Sequence, residues 1–391
     1  VSINLDDSQR AAVDASLAEG DHIITGGAGT GKTTIIKAIY ESLNKQAVMM
    51  APTGKAAARL REATGYEART IHSELTYDGT IFRRMAPFTS PVIIDEGSMI
   101  EAPLMAKLLE FRPPKLILVG DSAQLPPVGH GCPFHDLIDL MPERVSRLTT
   151  CHRAQGAVHL AASAIRKGEA PAERMESGGE SFKIIDSGGT QTTATLLRGW
   201  LEKGLVDPER DIIIAPQYGS AEAADDGGIH ALNRLAKSIL NPSGDAEGFT
   251  IGDRVICVKN FSDADLWNGD LGTVVDISTQ GLPEVSLDRE ASAPEDIEDG
   301  KTRFITKEQV KFLQLAYVLS VHKSQGSQFR RVIFVVHRAH STMLTRALIY
   351  TAVTRARQGC AVIGEPAAFY KGLNNVERRR TVLQHLAGVA A

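Results

Sequence analysis

The sequence predicts an α/β protein made of two parallel-sheet units, with a β-hairpin inserted in the first and a small β-barrel in the second. Three observations carry this. Apolar, β-rich runs recur at 22–25, 47–51, 92–94 and 116–119, with helical stretches such as GKAAARLREA between the first three. A second series stands at 212–215, 316–321, 332–336 and 361–363. Buried parallel strands joined by crossover helices are the natural product of such a pattern. The third observation is a change of composition over 249–312, where GDRVICVKNF, NGDLGTVVDI, PEVSLD and TRFITKEQV are separated by N-G, G-D and L-G turn signals. Short strands with such turns read as a barrel within the second unit. Residues 74–84, ELTYDGTIFRR, alternate around Asp78-Gly79 and read as a hairpin between two strands of the first unit.

With 391 residues, 43% hydrophobic, the chain is long enough for two or three separate cores. No apolar run approaches the roughly 20 residues of a membrane span, and the first residues lack a basic-then-apolar leader, so a cytoplasmic location is expected. The four cysteines are scattered without a C-x-x-C, which indicates neither a zinc site nor a disulfide framework. A net charge of −4 argues against coating nucleic acid by bulk electrostatics, yet allows a local groove. Residues 55–84 carry six basic and four acidic residues, a stretch suited to a phosphate backbone, whereas APEDIEDG at 293–300 reads as a solvated acidic loop.

The first apolar run leads into GGAGTGKTT, in which Gly26 and Gly31 bracket four residues ahead of Lys32-Thr33. This is the G-x-x-x-x-G-K-[ST] spacing: glycines turn backbone N–H groups of Gly26, Gly27, Ala28, Gly29, Thr30 and Gly31 toward a polyphosphate, with the N-terminus of the following helix adding partial positive charge. Lys32 would reach the β/γ-phosphates of ATP and the Thr33 hydroxyl would ligate Mg²⁺, with Thr34 alongside. A glycine-rich turn with an exposed lysine is the plain alternative.

Asp95-Glu96 ends the run VII, where open α/β sheets bind ligands. Asp95 is positioned to hold Mg²⁺ and Glu96 to polarise an attacking water, which favours hydrolysis over transfer to an organic acceptor. An acidic turn is the alternative. After the next run comes GDSAQLPPVG, in which the neutral amide of Gln124 can sense a γ-phosphate. TCHR supplies Arg153 at the start of the second unit, and YTAVTRAR supplies Arg355; arginines there can stabilise a transferring phosphoryl, although each alone also reads as a surface or ion-pair residue.

In series, these segments resemble the superfamily 1 DNA helicases, most closely the RecD2/Dda-like branch. LDDSQRAAV is similar to the adenine-reading Q motif with Gln9, GGAGTGKTT to motif I, APTGKAAARL to Ia, ARTIHS to Ib, IIDEGSM to II, GDSAQLPPV to III, CHRAQ to IV, LSVHKSQGSQF to V and YTAVTRAR to VI. The resemblance covers nearly the whole chain in the right order. It implies two RecA-like domains, 1–69 with 91–147 (1A) and 148–248 with 313–391 (2A), a β-hairpin pin at 70–90 (1B) and an SH3-like barrel at 249–312 (2B).

It also implies an ATP- and Mg²⁺-dependent motor that moves 5′ to 3′ on single-stranded DNA, acting at single-strand/duplex junctions as a monomer. The implied hydrolytic set is Lys32, Thr33, Asp95, Glu96, Gln124, Arg153 and Arg355, with His152 against adenine and Gly326 and Gln328 near the nucleotide. The implied strand-binding set is Pro52, Thr53, Thr70, His72, Val128, His322 and Lys323, and Tyr77, Ile81 and Phe82 are the residues with which a hairpin wedge would pack or meet the fork. The chain departs from the pattern at Gln328, where many relatives carry a ribose-holding glutamate, and at His152, often tyrosine. An RNA-acting or 3′ to 5′ relative, a DNA-bound ATP-dependent clamp, and a nucleotide kinase are the rival readings; the kinase leaves motifs III to VI without a purpose.

Overall fold

The computed structural model describes residues 4–151, 156–220, 227–242, 248–288 and 302–376. The chain divides into two compact units, Val1–Gln155 with Val376–Ala391, and Gly156–Asn375.

The first unit opens with α1 (Asp7–Leu17), started by a capping box in which the Asp6 carboxylate accepts from Gln9 N while the Gln9 side chain accepts from Asp6 N. There follow β1 (His22–Gly26), α2 (Lys32–Ser42), β2 (Val48–Ala51), α3 (Gly54–Thr64), β3 (Arg69–Thr70), the single turn α4 (Ile71–Glu74), β4 (Val92–Ile94), α5 (Ala102–Glu110), β5 (Leu116–Gly120), α6 (Pro133–Leu140) and β6 (Val145–Leu148). The six strands form one sheet in the order β3-β2-β4-β5-β1-β6, every pair parallel. β1, β4 and β5 are buried on both faces, as sheets covered by helices on each side require. One core gathers Ile94, Leu104, Leu118 and Phe134, the other Ile24, Ile35, Ile39 and Val119.

The insertion at 74–84 is more compact than the alternation suggests. Glu74 ends α4, and the ladder is a single antiparallel bridge between Tyr77 and Phe82, flanked by bonds from Asp78 N to Ile81 O and from Arg83 N to Thr76 O. The Asp78 carboxylate accepts from the Thr80 and Ile81 N–H groups and closes the turn.

The second unit runs through α7 (Ala157–Lys167), β7 (Arg174–Ser177), β8 (Glu180–Asp186), α8 (Thr190–Glu202), β9 (Asp211–Ala215), α9 (Ile229–Leu240), five strands β10 (Arg254–Cys257), β11 (Leu271–Ile277), β12 (Pro283–Leu287), β13 (Thr302–Phe304) and β14 (Leu313–Leu315), then β15 (Val318–Ser320), β16 (Phe329–Val336), α10 (Arg346–Val353), β17 (Ala356–Gly364) and α11 (Pro366–Asn374). Its main sheet has the order β15-β9-β16-β17-β8-β7, parallel except for the β7–β8 hairpin.

The inserted segment is a five-stranded antiparallel sheet, β13-β12-β11-β10-β14. Among the described residues it is an open sheet and not a closed barrel. Its last strand lies just past the boundary at 312, and the acidic stretch 293–300 lies outside the described residues. A buried polar cluster joins this sheet to α9 and β15. Lys237 Nζ donates to Asp253 Oδ2 at 2.8 Å, and Asn241 and the Tyr317 hydroxyl donate to Asp253 Oδ1 at 3.0 Å. These bonds hold the Asp253 carboxyl below its usual range against the upward push of burial.

At the start of β9, buried Asp211 accepts from Arg330 Nε at 2.9 Å and from Arg331 Nη2 at 2.5 Å. Burial raises its pKa, but bonds from Arg330, Arg331 and the Asp207 N–H outweigh it and carry it down from 3.8 to about 2. A depressed carboxylate stabilises the fold above its unfolded pKa and stops doing so as pH falls through the folded one. Asp211→Asn is therefore expected to cost about 2 kcal/mol at pH 7, the gap in urea-unfolding free energy closing between about pH 4 and pH 2. A pH-independent gap would contradict this.

Candidate nucleotide and nucleic-acid site

β1 delivers the glycine loop. A Cβ on Gly26 would lie 2.6 Å from Thr30 Oγ1 and 2.9 Å from Leu148 Cβ, so only glycine passes between them. Gly29 and Gly31 take φ of 79°, the left-handed region that glycine enters freely. Thr30 Oγ1 donates to Gly27 O at 3.0 Å, and the thiol of Cys151 points to the Ala28 and Gly29 carbonyls at 3.7 and 3.6 Å. Lys32 Nζ donates to Gly26 O and Gly27 O at 2.8 and 2.9 Å. Thr33 is half-buried on the first turn of α2 and Thr34 is exposed. Gln9 is buried; its Nε2 donates to Thr30 O at 3.1 Å while its Oε1 accepts from Asp6 N. In this structure one end of the Gln9 amide braces the loop and the other completes the cap of α1.

β4 delivers the carboxylates. Asp95 N donates to Met50 O of β2 at 3.0 Å, and Asp95 Oδ1 accepts from Glu96 N at 2.8 Å. Burial first, then the charge of Glu96, raises the Asp95 pKa to about 6; Lys32 and Arg59 pull the other way. Glu96 stands at φ 53°, a conformation costly for a side-chain-bearing residue, and its Oε2 is buried with no hydrogen-bond partner among the described residues. Both features single it out from an ordinary acidic turn.

β5 delivers the third loop. Gln124 is buried, and Ser122 exchanges bonds with Thr25 of β1: Thr25 Oγ1 donates to Ser122 Oγ at 3.2 Å and accepts from Ser122 N at 3.3 Å. His135 Nε2 meets Ser122 O at 2.9 Å. Phe134 fills the space against Gly97 and Gly120, where added Cβ atoms would approach its ring to 3.0 and 2.9 Å. Ser122, Phe134, His135 and Arg59 are supports that sequence reasoning missed. Thr25 and Ser122 are 97 residues apart, and no spacing announces that they meet.

The strand-binding candidates Pro52 and Thr53 follow β2, Thr70 ends β3 and His72 lies in α4 just after it, on the same sheet edge as the loops after β1, β4 and β5. Two of their hydroxyls already serve as helix caps: Thr53 Oγ1 accepts from Ala56 N and Thr70 Oγ1 from Ser73 N. Val128 is 76% exposed. The His72 ring packs with Tyr77 and Phe82 at centroid distances of 5.3 and 5.7 Å, and Tyr77 and Phe82 lie 4.7 Å apart. Burial lowers the His72 pKa, partly offset by Glu101. Of the three wedge candidates, Tyr77 and Phe82 thus brace the turn against His72, while Ile81 is 52% exposed.

In the second unit, His322 and Lys323 follow β15, with Lys323 Nζ donating to Gln314 Oε1 at 2.6 Å. Gly326 takes φ of 73°, and Gln328 Oε1 accepts from Arg357 Nε at 3.3 Å. Arg355 is buried, and its guanidinium donates to Thr351 O, Ser327 O and Thr354 Oγ1. His152 and Arg153 lie outside the described residues.

Comparison with known proteins places this geometry. Residues 4–182 match the AAA domain family and residues 315–363 the UvrD-like helicase C-terminal domain. The chain is 30% identical to RecBCD enzyme subunit RecD of Mycolicibacterium smegmatis, covering 97% of this chain and 74% of that protein. The chain belongs to the superfamily 1B helicases of the RecD type. It is 34% identical to the ATP-dependent RecD2 DNA helicase of Deinococcus radiodurans over 93% of its own length, and spans half the length of that relative. The superfamily 1B fold recurs in Pif1 structures: one described as unwinding forked DNA (TM-score 0.58, 18% identity, 99% of this chain and 96% of that one) and one from Candida albicans (TM-score 0.55, 20% identity, 100% of both chains). No helix among the described residues is long and apolar enough to cross a membrane.

The shape of the glycine loop, the candidate nucleotide site, depends on the narrow gap at Gly26. Gly26→Ala is expected to displace Thr30 and weaken nucleotide binding more than tenfold, measured with a fluorescent ATP analogue, while the thermal midpoint moves by only a few degrees. Unchanged affinity would show that the loop does not bind in the observed shape.

Proposed function

We propose that this chain is an ATP-hydrolysing motor that moves 5′ to 3′ on single-stranded DNA and parts duplex DNA with the turn at 74–84. The observation that carries the proposal is the shared edge of the first sheet. The phosphate loop, Asp95-Glu96, Gln124 and the strand-binding candidates Pro52, Thr53 and Thr70 all lie at or just past C-terminal ends of its strands, and Asp95 is tied to β2 by its bond to Met50 O. In this reading 1–69 with 91–147 and 148–248 with 313–391 are the two RecA-like motor domains, 70–90 the pin and 249–312 an SH3-like module, and the motor works as a monomer.

The residues fit a hard divalent cation. Thr33 and Asp95 offer oxygen donors, and among the described residues no cluster of three His, Cys, Asp or Glu side chains is available to cage a metal. Mg²⁺, which keeps waters and shares phosphate oxygens, suits such a sparse donor set. When bound it would neutralise phosphate charge. Lys32 then exchanges the Gly26 and Gly27 carbonyls for the β/γ-phosphates. Glu96, with its unpartnered Oε2, orients the attacking water and takes up its proton. Gln124 senses the γ-phosphate, and Arg153 and Arg355 add positive charge to the transition state. Backbone and stacking contacts by Thr53, Thr70, His72, Val128, His322 and Lys323 would be largely independent of sequence, as a motor needs.

The decisive assay is ATPase stimulation by oligonucleotides of increasing length, which should rise with length for a motor; length-independent stimulation would indicate a clamp. In the same assay Lys32→Ala should lose ATP binding and turnover, and Glu96→Gln should bind ATP but hydrolyse it at least a hundredfold more slowly. Wild-type turnover by Glu96→Gln would remove the base. Replacing residues 76–83 by a short Gly/Ser linker should leave DNA-stimulated ATPase largely intact and strongly reduce unwinding; equal unwinding would show that the turn is not the wedge.

A further inference from the structure

The inserted sheet carries an aromatic and cationic surface that the motor reading leaves without a purpose. The antiparallel pairing of β10 and β14 continues past their ends through the bond from Val258 N to Phe312 O, which sets Val258 across from Phe312 and brings the next residue, Lys259, beside that ring. Lys259 Nζ lies 4.7 Å from the centroid of the Phe312 ring and 5.8 Å from that of Phe261, and Lys311 Nζ lies 5.4 Å from Phe312. The two rings are 5.7 Å apart. Both lysines are exposed, both rings half-buried, and neither lysine has a carboxylate partner among the described residues.

Two residues beyond Phe312, Gln314 accepts from Lys323 Nζ, which in turn lies 5.2 Å from the ring of Tyr218, 36% exposed in the loop after β9. Lysines beside aromatic rings therefore form a stripe from the end of β9, through Lys323 and Gln314, onto the inserted sheet. An ammonium group against a ring face gains modestly from the ring quadrupole, and still has N–H groups to offer a phosphate. Aromatic rings beside cations at this scale are the recurring recipe for single-stranded nucleic acid, whose bases stack while its phosphates pair.

We propose that Lys259, Phe261, Lys311 and Phe312 form a second single-stranded DNA contact, reached by strand that leaves the His322–Lys323 contact past Tyr218. This rests on the motor reading, which places Lys323 on the strand. Phe312 and Tyr218 stack on bases or sugars, and Lys259 and Lys311 take one phosphate each. Phe261 also packs on the core of the inserted sheet and is the structural half of the pair.

The test is equilibrium binding of fluorescent oligo-dT in a ladder from about 6 to about 20 nucleotides, spanning the usual size of one such site, across a salt series. Lys259→Gln/Lys311→Gln should lower affinity for the long oligonucleotides, leave the shortest unaffected, and reduce the magnitude of the log–log salt slope by about 1.4, at about 0.7 per phosphate released. Phe312→Leu, which keeps apolar bulk and removes the ring, should weaken long-oligonucleotide binding about fivefold or more without changing the slope. ATPase without DNA should match wild type in both. If wild type binds with length dependence and both variants match it in affinity and slope at every length, the patch is not a strand contact and the motor reading stands. If the lysine variant loses affinity only for blunt duplex, the surface holds duplex and the proposal fails. If wild type itself shows no single-strand binding, the motor reading fails first, and with it the proposal.

Discussion

The hydrogen bond from Asp95 N to Met50 O joins residues far apart in the sequence, and the placing of the site's loops depends on it. It closes the parallel pairing of β2 with β4 one residue beyond the last ladder partner, Ile94, and fixes where the chain leaves the sheet. Because every strand of this sheet runs the same way, the loops after β1, β2, β4 and β5 emerge together, and the Asp95 backbone is joined to the segment Pro52-Thr53 through one hydrogen bond and the last two residues of β2. Glu96 carries the strain of that exit in its left-handed backbone, and its Oε2 is buried. A chain with mixed strand directions would distribute the same residues over two edges of the sheet.

Much of this was legible in the sequence because it is local. The glycine loop, the acidic pair after VII and the glutamine after LVG are each set by a strand end and a few following residues, so runs of apolar residues and short spacings were enough to place them. The supports were not legible. Ser122 meeting Thr25, Phe134 lying against Gly97 and Gly120, and Gln9 bonding Thr30 O are products of the tertiary fold, between residues that share no motif. Gln9 is the instructive case: resemblance reads it as a base contact, and the fold adds bonds to Asp6 N and Thr30 O that no motif announces.

Short strands were the weak point of pattern reading. β3, with two residues, and β6, whose exposed and half-buried positions break the apolar run, escape a search for hydrophobic stretches, and both are held by neighbours and not by their own propensity. The turn at 74–84 alternates like a hairpin but forms one bridge, because Asp78 satisfies its turn amides and Tyr77 and Phe82 pack on His72 instead of extending a ladder. In the inserted sheet the fifth strand, β14, is contributed by residues just outside the composition change, since pairing with β10 and not composition decides where that sheet ends.

The central claim is that one sheet edge couples ATP hydrolysis to directed movement along a strand. Unwinding of otherwise identical duplexes carrying a 5′ or a 3′ single-stranded tail, with ATP and Mg²⁺ supplied or withheld, tests it most directly. The account predicts strand separation of the 5′-tailed duplex alone, and only with ATP. Separation of the 3′-tailed duplex alone, or of neither while DNA still stimulates hydrolysis, would contradict it.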